Sequence, residues 1–394
     1  LYTDFWAGPV TRRLARSTGS TVIRSLATRF NADLEDAPVT SWNTCALWWE
    51  WTLRGRRKTD AVRGPYHGFA DVGRRFGSRI RDHLESRTDL DSRAIFFAYD
   101  TGALEALEWC RERGVPSILN QMDPNRIEME LVHAEEKCWP GWALQSVSVP
   151  EEYLRRRENE WALANRILVN SNFCREALIK QGVSSEKLVV VPLCYELAGG
   201  NQKSGIDRAK LLGQNGPPKR PLRVLFLGQV ILRKGIQYLM QAAKLLEKEG
   251  ILFDVVGPLG ITSEAAKTAP RNLVFHGRAS RDQTNAWYQQ SDVFVLPTLS
   301  DGFAITQIEA MANGLPVIAT PHCGQVVGNG VDGFIVPARD ASALAAACLR
   351  YVSEPGLLES QSAAALQKAG QFSLGHLADN LKRLEAGMLK GNGS

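Results

Sequence analysis

The stretch Ser300-Asp301-Gly302-Phe303-Ala304-Ile305-Thr306-Gln307-Ile308-Glu309-Ala310-Met311-Ala312-Asn313-Gly314-Leu315-Pro316-Val317-Ile318-Ala319-Thr320 decides how this chain is read. It follows the apolar run Val293-Phe294-Val295-Leu296-Pro297, which has the length and composition of a short buried strand. A turn at Gly302 opens a helix expected from near Ala304, with Asp301 at its mouth and Glu309 two turns further along. Gly314-Leu315-Pro316 stops that helix, and Val317-Ile318-Ala319 starts another strand. Eight residues are a little over two helical turns, so both carboxylates are expected on roughly one side. Backbone N–H groups at a helix start attract phosphate, and carboxylates accept hydrogen bonds from sugar hydroxyls. A plainer reading of the same acids is a surface Glu309 and an Asp301 favoured by the helix dipole.

Working outward, an alternating series surrounds this stretch. Leu222–Leu227, Leu252–Val256 and Leu273–Phe275 read as strands, with helices at Gly235–Glu249 and Arg281–Gln290. A second series lies earlier. Strands are expected at Ala94–Tyr99, Pro116–Asn120, Arg166–Asn170 and Lys187–Pro192, and helices at Gly102–Arg113, Glu151–Ala164 and Ser171–Gly182. Residues 198–221, rich in Gly, Pro and polar residues, read as a linker. The expected architecture is α/β, with two Rossmann-like domains facing across a cleft and ligands beyond the carboxyl ends of the strands. The expected division is 1–197, the linker 198–221, 222–365, and a helical C-terminal segment 366–394 that can pack on either domain, the first included. Residues 1–90 are rich in Arg and Trp and weakly periodic, with helices expected around Thr44–Leu53 and Gly68–Leu84.

Composition bounds the function. The chain has 394 residues, 44% hydrophobic and 23% charged, which suits a soluble globular protein of two domains. A net charge of +5 is compatible with an anionic small ligand or an acidic lipid surface and gives no case for nucleic acid. The seven cysteines have no CxxC pair and no metal-ligand spacing, which points to buried thiols in a reducing cytosol. Neither cysteines nor the six dispersed histidines suggest a metal site. No run is long and apolar enough to span a bilayer and no signal peptide is visible, so a cytoplasmic location is expected. The chain opens at Leu1 without Met, and an upstream strand and loop are expected to be missing from it.

A second motif supports the first. In Val224-Leu225-Phe226-Leu227-Gly228-Gln229-Val230-Ile231-Leu232-Arg233-Lys234-Gly235, a strand ends at Gly228 and a loop delivers two adjacent cations before the next helix. Gly228 permits close backbone approach, and Arg233 with Lys234 can neutralise a diphosphate. Alone, the pair would be an ordinary solvated loop pair. Trp42, Trp48, Trp49 and Trp51, followed by Arg54, Arg56, Arg57 and Lys58, have the order of an interfacial helix; a core-facing aromatic helix with a basic turn is the other reading.

These motifs together resemble the retaining glycosyltransferases of family 4, which have the two-domain GT-B fold. The resemblance rests on Gly228…Arg233-Lys234-Gly235, on Val255-Val256-Gly257-Pro258, on Leu273-Val274-Phe275-His276-Gly277 and above all on the stretch from Ser291 to Thr320, with Gly330–Pro337 behind it. Ala162–Ser171 and Lys187–Leu193 are also similar, so it covers the chain from about residue 150 onward.

The resemblance implies that Lys234, helped by Arg233, holds the diphosphate of a nucleotide-sugar donor, a co-substrate rather than a bound cofactor. Asp301 would lie against the donor sugar and Glu309 would bind the ribose. Backbone N–H groups of Gly302, Phe303 and Ala304 would meet sugar hydroxyls or phosphate, with Ile305 and Thr306 near the diphosphate, Gly228 and Gln229 beside it, and Gly277-Arg278 facing the base. Two positions depart from the family pattern. Asp301 stands where relatives usually carry Glu, and Gln229 stands where they commonly carry Arg. For the hydroxyl acceptor (a glycan, a lipid-linked species or a small molecule), Asp123 in Gln121-Met122-Asp123-Pro124 is a candidate, as is Asp100 with Thr101; a turn-forming Asp before Pro is the alternative for Asp123. The implied activity is metal-independent transfer with retention, from a UDP- or GDP-linked sugar. A catalytically inactive sugar-nucleotide-binding protein on the same fold is the alternative. Peripheral contact with the inner face of the membrane stays open.

Overall fold

The computed structural model describes residues 1–17, 25–49, 64–146, 148–196 and 220–391. The chain forms two compact units, residues 1–117 with 147–164, and residues 118–146 with 165–394.

In the first unit, β1 (Tyr2–Thr3) pairs in parallel with β2 (Thr40–Ser41), and β3 (Phe96–Tyr99) precedes the helix Leu104–Arg113. The long helix Gly64–Ser86 buries Ile80 and Leu84 against Ala106, Trp109 and Cys110. Gly73 lets it approach closely, because a Cβ there would lie 2.2 Å from the Thr101 carbonyl oxygen. Polar groups then close the turn at 100–104. Glu160, on the helix Glu151–Leu163, is fully buried and accepts the N–H groups of Thr101 (2.7 Å), Ala103 (3.0 Å) and Leu104 (3.1 Å). A carboxylate thus takes up donors that the start of the Leu104–Arg113 helix leaves orphaned. Arg156 forks onto Glu105 at 2.8 and 2.6 Å and donates through Nε to the Thr101 carbonyl at 2.6 Å. Arg157 pairs with Asp100.

The tryptophans of this unit divide. Trp42 stacks on Tyr2 and meets Phe76 edge-on, Trp49 is buried, and Trp48 is half exposed beside Arg75. Trp51 and the basic residues 54–58 lie outside the described residues, as does most of the expected linker.

The second unit holds two parallel sheets. β4 (Ser117–Gln121, entering this unit at Ile118), β5 (Arg166–Val169) and β6 (Leu188–Val190) pair in that order. The larger sheet contains β7 (Leu222–Leu227), β8 (Ile251–Val256), β9 (Leu273–Gly277), β10 (Val293–Leu296), β11 (Val317–Ala319) and β12 (Gly333–Ile335). Its order is β12-β11-β10-β7-β8-β9, all parallel. This is the doubly wound order, in which the chain runs outward one way from β7 and then the other way from β10. The strands are continuous Val, Leu, Ile and Phe runs because both faces are covered. One apolar layer joins Val224, Phe226 and Phe253 to the helices Ile236–Leu245 and Ala341–Ser353; the other joins Leu225, Phe294 and Val317 to the helix Thr306–Ala312.

Strand and helix positions follow the sequence expectations closely in this sheet, although the strand Gly333–Ile335 and the short helix Ser263–Lys267 were not anticipated. Nor were the helices Arg126–Cys138, after β4, and Ala341–Ser353, after β12. The first carries Glu135, which is fully buried, accepts hydrogen bonds from Gln237 Nε2 (2.9 Å) and the Tyr238 hydroxyl (2.9 Å), and pairs with Arg339. The C-terminal segment, helices Leu357–Ala369 and Leu374–Gly391, belongs to this second unit.

Candidate active site

The doubly wound order opens a crevice where β7 and β10 part, and the two sequence motifs emerge there. After β7, residues Leu232–Lys234 make one 3₁₀ turn that presents Arg233 and Lys234. After β10, the segment Pro297–Ser300 runs beside it. The Arg233 carbonyl accepts the Leu299 N–H at 2.8 Å and the Thr298 hydroxyl at 3.2 Å, tying the loops together. Arg233 donates to the Ser300 carbonyl at 2.8 Å, and Lys234 pairs with Asp301.

Asp301 does not sit on the helix. The helix spans Thr306–Ala312, shorter than expected at its start, and residues 301–305 form a loop in front of it. Asp301 Oδ1 accepts the Ala304 N–H at 3.1 Å, and Ala304 has a left-handed backbone, φ 60°. The expectation that Asp301 and Glu309 share one helical face therefore fails. An aspartate bonding three residues on holds a turn, and that turn delays the helix. Glu309 is helical; its Oε2 accepts the Tyr288 hydroxyl at 2.8 Å. Burial first, and the Glu309 charge next, hold the Tyr288 phenol well above its ordinary range.

Arg233, Lys234, Gly228, Gln229 and Asp301–Thr306 line one cleft of about 410 Å³ with Met122, Asn170 and Leu193. Gly302 is required by the packing, since a Cβ there would lie 1.8 Å from the Met122 carbonyl oxygen. Other expected residues fall outside that lining. Glu309 stands on the helix behind it. Gly277 closes β9, where its carbonyl accepts the Gly257 N–H at 2.8 Å, and Arg278 beyond it is exposed. Asp123 Oδ1 accepts the Asn125 N–H at 2.8 Å, the turn-forming arrangement. Asp100 is paired with Arg157 inside the first unit.

Sequence reasoning missed Glu128. It lies on the unanticipated helix Arg126–Cys138, where Oε2 accepts the Ser300 hydroxyl at 2.7 Å and stands 3.4 Å from Arg233. Burial raises its carboxyl above the usual range, Arg233 opposes that, and Asp123 and Asp301 add to it. Acidic residues recur along Arg126–Cys138, and nothing in the spacing singles out Glu128. Tyr288 was missed too, inside a helix that was anticipated.

Chemically, the cleft offers two cations within one turn, a loop of backbone around Gly302, and one carboxylate, Asp301. Among the described residues no group of three or more His, Cys, Asp or Glu is placed to hold a metal ion. No helix among them is long and apolar enough to cross a membrane.

A switch-point crevice in a doubly wound sheet, with a second parallel sheet in the chain, is the arrangement of the GT-B fold, and solved structures share that fold. The chain superposes on sucrose-phosphate synthase from Thermosynechococcus elongatus with a TM-score of 0.60 at 20% identity, covering 84% of this chain and 82% of that one. It superposes on HepE of Anabaena, solved in complex with UDP, with a TM-score of 0.59 at 14% identity, covering 98% and 99%. Residues 221–354 match the family described as glycosyl transferases group 1. A D-inositol 3-phosphate glycosyltransferase of Streptomyces griseus subsp. griseus is 32% identical over 215 residues, which is 50% of this chain and 45% of that protein. The chain spans about half the length of the curated relatives it matches first.

Proposed function

We propose that the protein transfers a sugar from a nucleotide-diphosphate donor to a hydroxyl acceptor, with retention of anomeric configuration and without a resident metal ion. The reading is carried by one observation: Arg233, Lys234 and the 301–306 loop line a single cleft at the carboxyl ends of β7 and β10. Cations there offset the charge that grows on the diphosphate as the glycosidic bond breaks, the role of preorganised electrostatic stabilisation. In the front-face mechanism implied by the family, the departing diphosphate oxygen takes the acceptor proton, so the protein supplies position and charge. Glu309, held by Tyr288, has an oxygen left to accept from a ribose hydroxyl. UDP is bound by HepE and is the first nucleotide to try here.

Lys234→Ala and Glu309→Ala should each lower donor turnover, measured as transfer or hydrolysis of UDP- and GDP-sugars, by at least about 100-fold. Melting temperature should stay near that of the unmodified chain. Full activity in either variant removes the assignment. Donor binding by the unmodified chain without turnover favours a sugar-nucleotide-binding protein instead.

A further inference from the structure

Asn170 follows β5 directly and is 2% exposed. Its Nδ2 donates to the Met122 carbonyl at 2.9 Å. That bond fixes the amide, because the opposite orientation would set Oδ1 against another acceptor. Asn170 Oδ1 is buried and has no hydrogen-bond partner among the described residues. The same side chain lines the cleft beside Gly302, where a Cβ would come within 2.9 Å of Nδ2. A buried acceptor without a donor carries a cost comparable with a lost hydrogen bond and needs an account.

The chemistry of the missing partner is constrained. A carbonyl oxygen accepts only, so the oxygens of a diphosphate would be repelled by it, and those oxygens already have Arg233 and Lys234. A hydroxyl donates. The part of the 301–306 loop that meets Asn170 is Gly302, which brings backbone and no cation to it. We infer that Asn170 accepts a hydrogen bond from a hydroxyl of the transferred sugar and so takes part in choosing that sugar. The inference rests on the reading of this cleft as a nucleotide-sugar site and adds a residue that the motifs do not name.

Calorimetric titration of the full chain with UDP, UDP-glucose, GDP and GDP-mannose tests both readings separately. For whichever base binds, the affinity advantage of the nucleotide sugar over its nucleotide should fall about tenfold in Asn170→Ala, the worth of one hydrogen bond. Affinity for the bare nucleotide should hold to within about twofold. Asn170→Leu, which keeps the volume, serves where alanine costs the fold and should behave alike. An unchanged advantage overturns the inference. So does a parallel loss of nucleotide and nucleotide sugar, which would make Asn170 a support of the loop. If the unmodified chain binds none of the four, the donor-site reading fails and this inference goes with it.

Discussion

Both units bury charged side chains, but they leave them in different states. In the first unit the carboxylate of Glu160 takes three backbone N–H groups, and Arg156 is held by Glu105 and a carbonyl. Asp100 is held by Arg157. In the second unit Arg233 and Lys234 are also paired, with Glu128 and Asp301, yet both cations line an open cleft and neither is fully buried. An ion pair by itself does not separate scaffold from site, since isolated pairs contribute little and buried ones cost desolvation. What separates these regions is spare capacity. The first network closes on itself, whereas the second keeps cations that can exchange one anion for another.

Removing one carboxylate charge from each region should therefore give opposite signatures. Glu160→Gln has the largest expected effect on stability. An amide cannot accept from all three N–H groups, so unfolding of the first unit should become easier by about 1–3 kcal/mol. Burial first of all pushes the Glu160 carboxyl from 4.5 up to about 7. The native chain then holds a proton that the unfolded chain releases, so stability should fall as pH rises from about 4.5 through about 7 and level off above. Thermal melts across that range should show the slope, and Glu160→Gln should flatten it; a slope that survives the substitution belongs to another group. Glu128→Gln should cost less than about 1 kcal/mol, because Ser300 keeps an oxygen to bond. UDP affinity should instead rise about threefold as Arg233 loses its masking charge. Weaker UDP binding would mean that Glu128 aims the cation, and the contrast between the regions would narrow. Smallest of all, Arg155→Ala on the helix of Glu160 breaks an exposed pair with Glu151 and should change the melting free energy by less than about 0.5 kcal/mol.

The sequence was most readable where period and composition agree. Leu222–Leu227, Arg281–Gln290 and Val317–Ala319 stand where their apolar runs and caps put them. The cleft-lining loops were legible because Gly228, Gly235 and Gly302 punctuate them. Three things were not. The helix Arg126–Cys138 has mixed polar and apolar faces, and a buried Glu128 or Glu135 reads as a solvated acid until Arg233, Tyr238 or Arg339 is brought to it from more than 100 residues away. The delayed helix start depends on Asp301 bonding to Ala304, a local competition that helical spacing does not register. Asn170 is ordinary in sequence, and only the bond from its Nδ2 to Met122 exposes the unfilled acceptor beside it.

Glu135 has a consequence for how the chain is made. Its last partner, Arg339, is 204 residues downstream. At synthesis rates of roughly 5–20 residues per second, about 10–40 s pass between the two leaving the ribosome. Through the first half of that interval Glu135 also lacks Gln237 and Tyr238, which lie 102 and 103 residues downstream, and for the rest it has those two hydrogen bonds and no cation. The ion pair that completes the surroundings of Glu135 can close only once Arg339 has been made.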